Sequence, residues 1–239
     1  MVSALVTVDC GNSTIACRDA AGARWSTQSA APDFASLSGF LRGGATRVLA
    51  VSVVSSALTA TKRAFADLGC AVEVAGVDRA CPLRLAYDTQ QTLGADRWGG
   101  ALAAYRRHGA AVTVDCGTAT TVNLVTAAGV FEGGAIAPGL GAIVEGMRAT
   151  APARPPADLG ADPSLPARTT QGSVDAGVLL GWCGAVERLV AEARRRLPAA
   201  PLVVTGGNAR RLLAHSSLVG EHCPDLLHEG LQALAEAGE

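Results

Sequence analysis

Short apolar runs rich in β-branched residues alternate along the chain with stretches that place apolar residues at helical spacing. The apolar runs predict strands at Val48–Val54, Ala71–Val77, Val112–Cys116, Thr121–Thr126 and Leu202–Thr205. The helical spacing predicts helices at Ala60–Leu68, Leu93–His108, Ser173–Leu197 and Ala209–Ala214. Because strands and helices alternate, the pattern favours layered α/β domains.

A proline-rich stretch interrupts this pattern. Residues 151–168 contain five prolines, which disfavour both helix and strand. We predict a loop there and interpret it as a mobile lid, since loops often carry function.

The apolar pattern also contains an internal repeat. Val-Thr-Val-Asp-Cys-Gly occurs at residues 6–11 and again at residues 112–117, about half the chain apart. The length of 239 residues suits two domains of roughly 120 residues each. The repeat therefore predicts two related domains, at 1–110 and 111–239.

Each copy of the repeat carries the same candidate chemistry. A predicted strand ends in Asp9 or Asp115 and is followed by glycine and small polar residues. The glycine permits a tight turn whose N–H groups can face an anion, and the aspartate can hold a cation or a water molecule. A third glycine-rich segment, Gly206–Asn208, follows the strand at Leu202–Thr205. We expect these turns to bind a nucleotide.

Composition excludes several other classes. The 20 basic and 21 acidic residues give a formal net charge of −1, which argues against a nucleic-acid or membrane-surface partner. The single lysine, Lys62, has no glycine-rich segment before it, and no complete G-x-G-x-x-G pattern is present, so neither a P-loop nor a Rossmann site is expected. Seven cysteines without a C-x-x-C pair argue against a zinc site and a disulfide framework.

The sequence also favours a cytoplasmic location. No apolar stretch reaches the roughly 18 residues of a transmembrane helix. The opening of the chain lacks the basic and long apolar regions of a secretory signal. We therefore expect a cytoplasmic protein that does not span a membrane.

Four motifs in order identify a family resemblance. They are Asp9–Ser13, Gly94–Arg97, Asp115–Ala119 and Gly133–Gly139. With this order and spacing, the chain resembles the type III pantothenate kinases. The resemblance implies an actin-like ATPase fold, with two ribonuclease-H-like domains and ATP in the cleft between them. It further implies a homodimer that phosphorylates the 4′-hydroxyl of pantothenate, using Mg²⁺ and a monovalent cation such as K⁺ or NH₄⁺.

The chemistry of these residues agrees with phosphoryl transfer, which depends mainly on positioning and charge stabilisation. The Asp96 carboxylate can accept the proton of an attacking hydroxyl group. The Arg97 guanidinium can bind a carboxylate or a phosphate through two hydrogen bonds. With no lysine near either turn, metal ions held near Asp9 and Asp115 can neutralise the phosphates.

The resemblance assigns roles residue by residue. It implies that Asp96 is the general base and that Asp115 binds the monovalent cation. The implied nucleotide contacts are Asp9, Cys10, Gly11, Asn12, Ser13, Thr14, Ile15, Ala16 and Thr118. The implied pantothenate contacts are Tyr87, Gly94, Ala95, Asp96, Arg97 and Thr170, with Thr169 as the alternative to the last.

One position departs from the pattern, and two other functions stay open. Many family members carry a lysine just after the first motif, whereas this stretch contains Arg18, so either Arg18 replaces that charge or the charge is dispensable. A non-catalytic regulator that retained the nucleotide site is one alternative function, because fold does not fix function. Another small-molecule kinase of the actin-like class is the second, and a substrate panel separates it from a pantothenate kinase.

Overall fold

The repeated segments at 6–11 and 112–117 lie at the ends of two strands, Ala4–Cys10 and Ala111–Cys116, which belong to different sheets. We analysed a computed structural model that describes residues 4–41 and 45–237, so the opening strand is described from Ala4. The chain divides into two units. The first unit comprises the chain up to Gly109, the segment Ala127–Glu132 and the chain from Asp225 onward, and the second comprises Ala110–Thr126 and Gly133–Pro224.

Strands and helices alternate through most of the described chain. The strands are β1 (Ala4–Cys10), β2 (Thr14–Asp19), β3 (Arg24–Gln28), β4 (Ala45–Ser52), β5 (Val72–Val74), β6 (Arg84–Leu85), β7 (Ala111–Cys116), β8 (Ala119–Val125), β9 (Val130–Pro138), β10 (Leu202–Thr205) and β11 (Glu221–His222). The helices are α1 (Leu37–Phe40), α2 (Ser55–Ala66), α3 (Ala95–His108), α4 (Leu140–Thr150), α5 (Thr170–Arg196), α6 (Ala209–His215) and α7 (Leu226–Glu236). Among the described residues, no helix is both long and apolar enough to cross a membrane.

The first unit is built on a sheet of strand order β3-β2-β1-β4-β5. Strands β1, β2 and β3 form an antiparallel meander, while β4 pairs parallel with β1 and β5 parallel with β4. Alternate side chains of β1, at Val6, Val8 and Cys10, enter a core that includes Phe65 of α2. The carboxyl end of β1 therefore lies at the sheet edge with its turn projecting from the core.

The second unit repeats this topology. Its strands lie in the order β9-β8-β7-β10-β11; β8 pairs antiparallel with β7, β10 pairs parallel with β7, and β11 pairs parallel with β10. Position by position, β7 takes the place of β1 and β10 the place of β4. The predicted pair of related α/β folds is confirmed, and the sequence repeat marks equivalent strands in the two sheets.

The predicted elements exist, but several limits differ from the observed ones. The predicted strand Ala71–Val77 is confined to Val72–Val74, because Gly76 has φ +83° and Asp78 Oδ2 accepts a hydrogen bond of 2.8 Å from the Val74 N–H to close a turn. The predicted helix Ala60–Leu68 begins earlier, at Ser55. Strand β9 and helix α4 were not predicted; glycines inside β9 weaken its strand pattern.

The C-terminal helix belongs to the first unit. Helix α7 packs against α3 and β1. The backbones approach closely where Gly230 meets Gly99, since a Cβ on Gly230 would overlap with the Gly99 carbonyl. Because of this packing, the two units differ from the predicted domain limits of 1–110 and 111–239, chiefly in the segments 127–132 and 225–239.

The proline-rich segment is a loop, as predicted, and its middle is held by side chains of the second unit. The buried Asp175 carboxylate of α5 accepts hydrogen bonds from the Asp158 N–H at 2.7 Å and from Gln171 Nε2 at 2.8 Å. Arg211 Nε donates a bond of 3.2 Å to the Leu159 carbonyl. These contacts fix residues near 158 against α5 and α6.

Candidate active site

The turn after β1 presents polar side chains to solvent. Asn12, Ser13 and Thr14 are exposed, and the Gly11 N–H donates a bond of 3.0 Å to the Thr14 carbonyl to close the turn. Ser29, directly after β3, clamps it, since its hydroxyl donates to the Gly11 carbonyl at 2.7 Å and its N–H to the Ser13 carbonyl at 3.0 Å. The turn is therefore a rigid projection of backbone N–H groups and small polar side chains.

Three of the predicted nucleotide contacts, Cys10, Ile15 and Ala16, are buried or half-buried in β1 and β2. The side chains of Cys10 and Ile15 are fully buried, so only their backbone groups can face a ligand. Burial raises the pKa of the Cys10 thiol to about 11, although a side-chain hydrogen bond with Thr61 lowers it and the charge of Asp9 raises it further. Cys10 therefore stays a neutral thiol at ordinary pH. Ala16 is half-buried in β2, opposite Asp9.

The turn after β7 has the equivalent position in the second unit and is one residue shorter. Cys10 pairs with Ile15 across the first turn, whereas Cys116 pairs with Thr120 across the second. Thr118 is exposed at its tip. Gly139, directly after β9, crosses this turn so closely that a Cβ there would overlap with the carbonyl of Thr118.

Asp115 lies where β7 meets the end of β10. It pairs with Thr205 in the sheet, and the next residue of that strand's turn, Gly206, has φ +87°. A Cβ on Gly206 would overlap with Asp115 Oδ1 and would lie 2.7 Å from the Cys116 backbone. The predicted third glycine-rich segment thus contacts the Asp115 carboxylate directly.

Asp96 occupies the first turn of α3. Its carboxylate folds back over Gly94, where a Cβ would overlap with Asp96 Oδ1. That oxygen is buried and has no hydrogen-bond partner among the described residues. Burial raises the pKa of the Asp96 carboxyl, an effect that the N–H and charge of Arg97 partly oppose. The arrangement produces a carboxylate that is more basic than one in water.

Arg97 lies against two aromatic rings. Its side chain is buried at 7% exposure, and Nη1 donates a bond of 3.3 Å to the Tyr87 hydroxyl. The guanidinium carbon lies 5.7 Å from the centre of the Tyr87 ring and 5.9 Å from that of Phe131. The structure therefore brings Tyr87 and the Gly94–Arg97 segment together and adds Phe131, which carried no recognisable signal in the sequence.

Thr169 and Thr170 have different positions at the start of α5. Thr169 is the N-cap, and its hydroxyl accepts a hydrogen bond of 3.0 Å from the Gly172 N–H. Thr170 is exposed, and both threonines line a cavity of about 590 Å³ together with Arg154, Arg168 and Ser173. With the Thr169 hydroxyl committed to the cap, Thr170 is the better candidate for a ligand contact in the second unit.

Arg18 does not lie at the first turn. It is opposite Thr7 in the β1–β2 pair, about 10 Å along β2 from Ile15. Its Nε lies 3.4 Å from Asp225 Oδ2, at the start of α7. The charge of Arg18 is thus paired within the first unit, which favours the alternative that the missing lysine is dispensable.

The donor groups fit a metal ion that arrives with a nucleotide. Within residues 4–41 and 45–237, no three His, Cys, Asp or Glu side chains converge where they could hold a metal ion. Asp9 and Asp115 are instead single carboxylates, each at the end of a strand. Mg²⁺ is commonly bound by one or two carboxylates, with substrate phosphates and water completing its coordination.

Comparisons with known proteins identify relatives in sequence. A sequence model of the type III pantothenate kinase family matches residues 5–192. A protein of Roseiflexus sp. (strain RS-1) named type III pantothenate kinase is 37% identical over 191 residues, which cover 78% of this chain and 75% of that protein.

Solved structures show the same fold at lower identity. A Campylobacter jejuni protein described as a conserved Baf family transcriptional activator has a TM-score of 0.64 and 19% identity, with 98% of each chain covered. The archaeal actin homologue Ta0583 has a TM-score of 0.53 and 11% identity, covering 98% of this chain and 99% of its own. These similarities confirm the predicted actin-like architecture.

Proposed function

This chain belongs to the type III pantothenate kinase family, and from that premise we propose that it transfers the γ-phosphoryl group of ATP to the 4′-hydroxyl of pantothenate, with Asp96 as the general base. The enzyme is a pantothenate kinase, and pantothenate phosphorylation serves coenzyme A biosynthesis. The observation that carries the finer proposal is the buried Asp96 carboxylate beside Arg97.

The proposed step begins at Asp96. Its carboxylate accepts the proton of the 4′-hydroxyl while the hydroxyl oxygen forms a bond to the γ-phosphorus of ATP. The bond between that phosphorus and the β,γ-bridging oxygen breaks, and ADP leaves with the bonding electrons. The raised pKa of the Asp96 carboxyl supports this role, because a more basic carboxylate accepts the proton more readily.

The acceptor is held by the residues around Asp96. We assign the pantothenate carboxylate to Arg97, whose fork of donors suits a carboxylate, with the Tyr87 hydroxyl beside it. Gly94 and Ala95 provide backbone contacts at the N-terminus of α3. Thr170 is proposed as a further substrate contact because it is exposed at a cavity.

The nucleotide is held by the two strand-end turns. In the first unit, Asn12, Ser13 and Thr14 supply donors to the phosphates, and in the second unit Thr118 does so. Asp9 would hold Mg²⁺ on the phosphates, where the ion would neutralise developing negative charge. We further propose Asp115 as a ligand of K⁺ or NH₄⁺, because its carboxylate lies at the Gly206 backbone. The enzyme is proposed to act in the cytoplasm as a homodimer.

Release of ADP tests the proposal in the intact protein. Wild-type enzyme is assayed with ATP, Mg²⁺ and pantothenate, in K⁺ and again with Na⁺ in its place. We expect turnover that requires pantothenate and is higher in K⁺. Asp115→Ala should lose the K⁺ activation, while Asp67→Ala, a control at the exposed end of α2, should retain it.

Two outcomes would contradict the proposal. An enzyme that binds ATP but releases no ADP with pantothenate in either salt would exclude the kinase reaction, and a substrate panel would then distinguish a regulator from a kinase of another acceptor. An unchanged K⁺ response in Asp115→Ala would exclude Asp115 as the cation ligand. Sedimentation of the protein at the 24.1 kDa of a single chain would exclude the homodimer.

A further inference from the structure

Arg97, Tyr87 and Phe131 form a three-membered cluster in the first unit. The two rings lie 6.4 Å apart and are tilted by 49°, and the guanidinium carbon lies within 6 Å of both. Phe131 is fully buried, and Arg97 nearly so. Each ring therefore turns part of its surface toward the cation, in the range where cation–π attraction is significant.

Backbone hydrogen bonds between β6 and the start of β9 bring Phe131 to this cluster. Strand β6 pairs parallel with the start of β9, which places Leu85 opposite Phe131. The Ala86 N–H donates a bond of 2.9 Å to the Phe131 carbonyl, and the Arg84 N–H donates one of 2.9 Å to the Gly129 carbonyl. Since Tyr87 follows Ala86 directly, this pairing fixes the Tyr87 backbone relative to Phe131.

A separate segment of the chain carries Phe131 to this contact. Phe131 lies in Ala127–Glu132, which belongs to the first unit although the chain before and after it belongs to the second. Gly129 has φ +69° and packs under the ring of Tyr105. A Cβ on Gly129 would lie 3.2 Å from the Tyr105 hydroxyl. The segment that carries Phe131 is thus held by α3, through the contact of Gly129 with Tyr105, and by β6.

The buried side chain of Arg97 must be held in one orientation to bind a ligand. A long side chain that loses its rotamer freedom does so at a cost in entropy, and a buried guanidinium cannot lose its charge. The Tyr87 hydroxyl holds one nitrogen, but the plane of the guanidinium is set by what packs on its face. The fully buried Phe131 ring, whose centre lies 5.9 Å from the guanidinium carbon, supplies such a face.

We propose that Phe131 is a positioning residue that orients Arg97 for a carboxylate, and so sets the preference of the enzyme for an acidic acceptor over a neutral one. The inference rests on the proposed function, in which Arg97 binds the pantothenate carboxylate. Phe131 acts through Arg97 and does not itself take part in phosphoryl transfer.

Kinetics with two acceptors test the proposal. Phe131→Leu removes the ring and is assayed with pantothenate and with pantothenol, the neutral alcohol that lacks the carboxylate. We expect the KM for pantothenate to rise about tenfold, the order expected when a cation–π contact that orients a buried guanidinium is lost. The kcat, the KM for ATP and the parameters for pantothenol should change by less than about twofold.

Phe65→Leu is the matched control. Phe65 is also fully buried in the first unit, but it packs in the core beneath β1 rather than against Arg97. It should lower the melting temperature while leaving the ratio of kcat/KM for the two acceptors unchanged. Phe131→Met, which fills the space with a flexible side chain, provides a second ring-less variant if the leucine variant does not fold.

The outcomes separate the two proposals. If the wild-type enzyme phosphorylates pantothenate and Phe131→Leu leaves the acceptor ratio unchanged, or lowers both activities equally, the role of Phe131 is overturned and the kinase function stands. A wild-type enzyme that prefers pantothenol, or treats both acceptors alike, also overturns it. If the wild-type enzyme phosphorylates neither acceptor, the proposed function fails and the inference fails with it.

Discussion

Asp96 combines burial with a missing hydrogen bond, an unfavourable combination for a carboxylate that served only structure. An unpartnered buried acceptor costs about 1–3 kcal/mol, and the raised pKa of this carboxyl adds to that cost whenever the group is ionised. Gly94 provides room for the carboxylate to fold back, since any side chain there would overlap with it. Such a group is typical of a site whose partner is a substrate.

We predict that Asp96→Asn lowers kcat by about 10²–10⁴-fold, because the amide cannot accept the proton of the attacking hydroxyl. The amide is nearly isosteric, so the dissociation constant for ATP should be unchanged. The measurement is kcat from ADP release together with calorimetric binding of ATP. Asp88→Asn, an exposed position close to Tyr87 in sequence, is the control and should retain wild-type kcat.

The pH profile provides a second readout for the same residue. The base must be ionised, so kcat/KM should fall as the pH drops through the raised pKa of Asp96. The fall should therefore begin at a higher pH than an ordinary aspartate would give. A wild-type kcat in Asp96→Asn, or an acidic limb that persists unchanged in its residual activity, would remove Asp96 from the role of base.

Residues were predictable from the sequence where their chemistry is local. Asp96 and Arg97 are adjacent and belong to one motif, and the repeat marked Asp9 and Asp115. Phe131 was not predictable, because only the pairing of β6 with β9 brings it to Tyr87, which lies 44 positions earlier in the chain. Contacts of this kind leave no periodicity in the sequence.

The two strand-end turns show how one element can be adapted after duplication. In the first unit, Asp9 pairs with Val51, and the next helix begins four residues later at Ser55. In the second unit, Asp115 pairs with Thr205, and the next helix begins four residues later at Ala209. Ser52 of the first unit is thus the counterpart of Gly206. The second unit has a glycine at this point, where a Cβ would overlap with the carboxylate of Asp115.

We predict that Gly206→Ala lowers the free energy of unfolding by about 2 kcal/mol or more, because φ is +87° and a Cβ would overlap with Asp115. Activation by K⁺ should fall with it, since the carboxylate must move. Urea unfolding and ADP release in K⁺ measure the two effects. Gly207→Ala is the control, because a Cβ there has no heavy atom within 4 Å.

Equal stability of these two alanine variants would show that the backbone at Gly206 relaxes freely.

At the scale of single elements, the sequence predicted the types of the elements better than their limits. Helix α3 was predicted at Leu93–His108 and observed at Ala95–His108; its end was predictable because Gly109 follows it as a helix-ending glycine. Strand β9 was not predicted because Gly133 and Gly134 weaken a strand pattern. In the structure, Gly134 lies so close to β8 that a Cβ would overlap with the Val122 carbonyl.

The chain passes between its two units four times, and the last passage brings α7 back to the first unit. Polar contacts hold the helix there as well as apolar packing. Asp225 pairs with Arg24 at 2.5 Å and with Arg18 at 3.4 Å. His228 Nδ1 lies 2.9 Å from the Thr7 hydroxyl, which itself donates to the Arg18 carbonyl at 3.1 Å. The hydroxyl therefore accepts from His228, whose Nδ1 carries the proton.

Because α7 packs in the first unit, the stability of that unit depends on His228 being neutral. Burial lowers the pKa of His228 from 6.5 to about 4; Asp225 opposes the shift, while the charges of Arg18 and Arg24 reinforce it. Between pH 4 and pH 6.5, the unfolded chain thus binds more protons at His228 than the folded chain does. The contribution of neutral His228 is fully present above pH 6.5 and is lost as the pH falls toward 4.

We predict that His228→Gln flattens the pH dependence of stability between pH 4.5 and 6.5, the window that the shift defines. The wild-type protein should lose up to about 3 kcal/mol across the full shift, and the variant correspondingly less, because glutamine does not titrate but can still donate to Thr7. Urea unfolding at several pH values measures the difference. His108→Gln, at the exposed end of α3, should retain the wild-type slope. Since Asp225 has a lowered pKa, its pairing is lost only at more acidic pH. The raised pKa of Asp96 changes stability with pH in the opposite direction and is common to both proteins, so the difference between wild type and variant reports His228. A variant as steep as the wild type would therefore mean that α7 is held by its ion pairs and apolar packing alone.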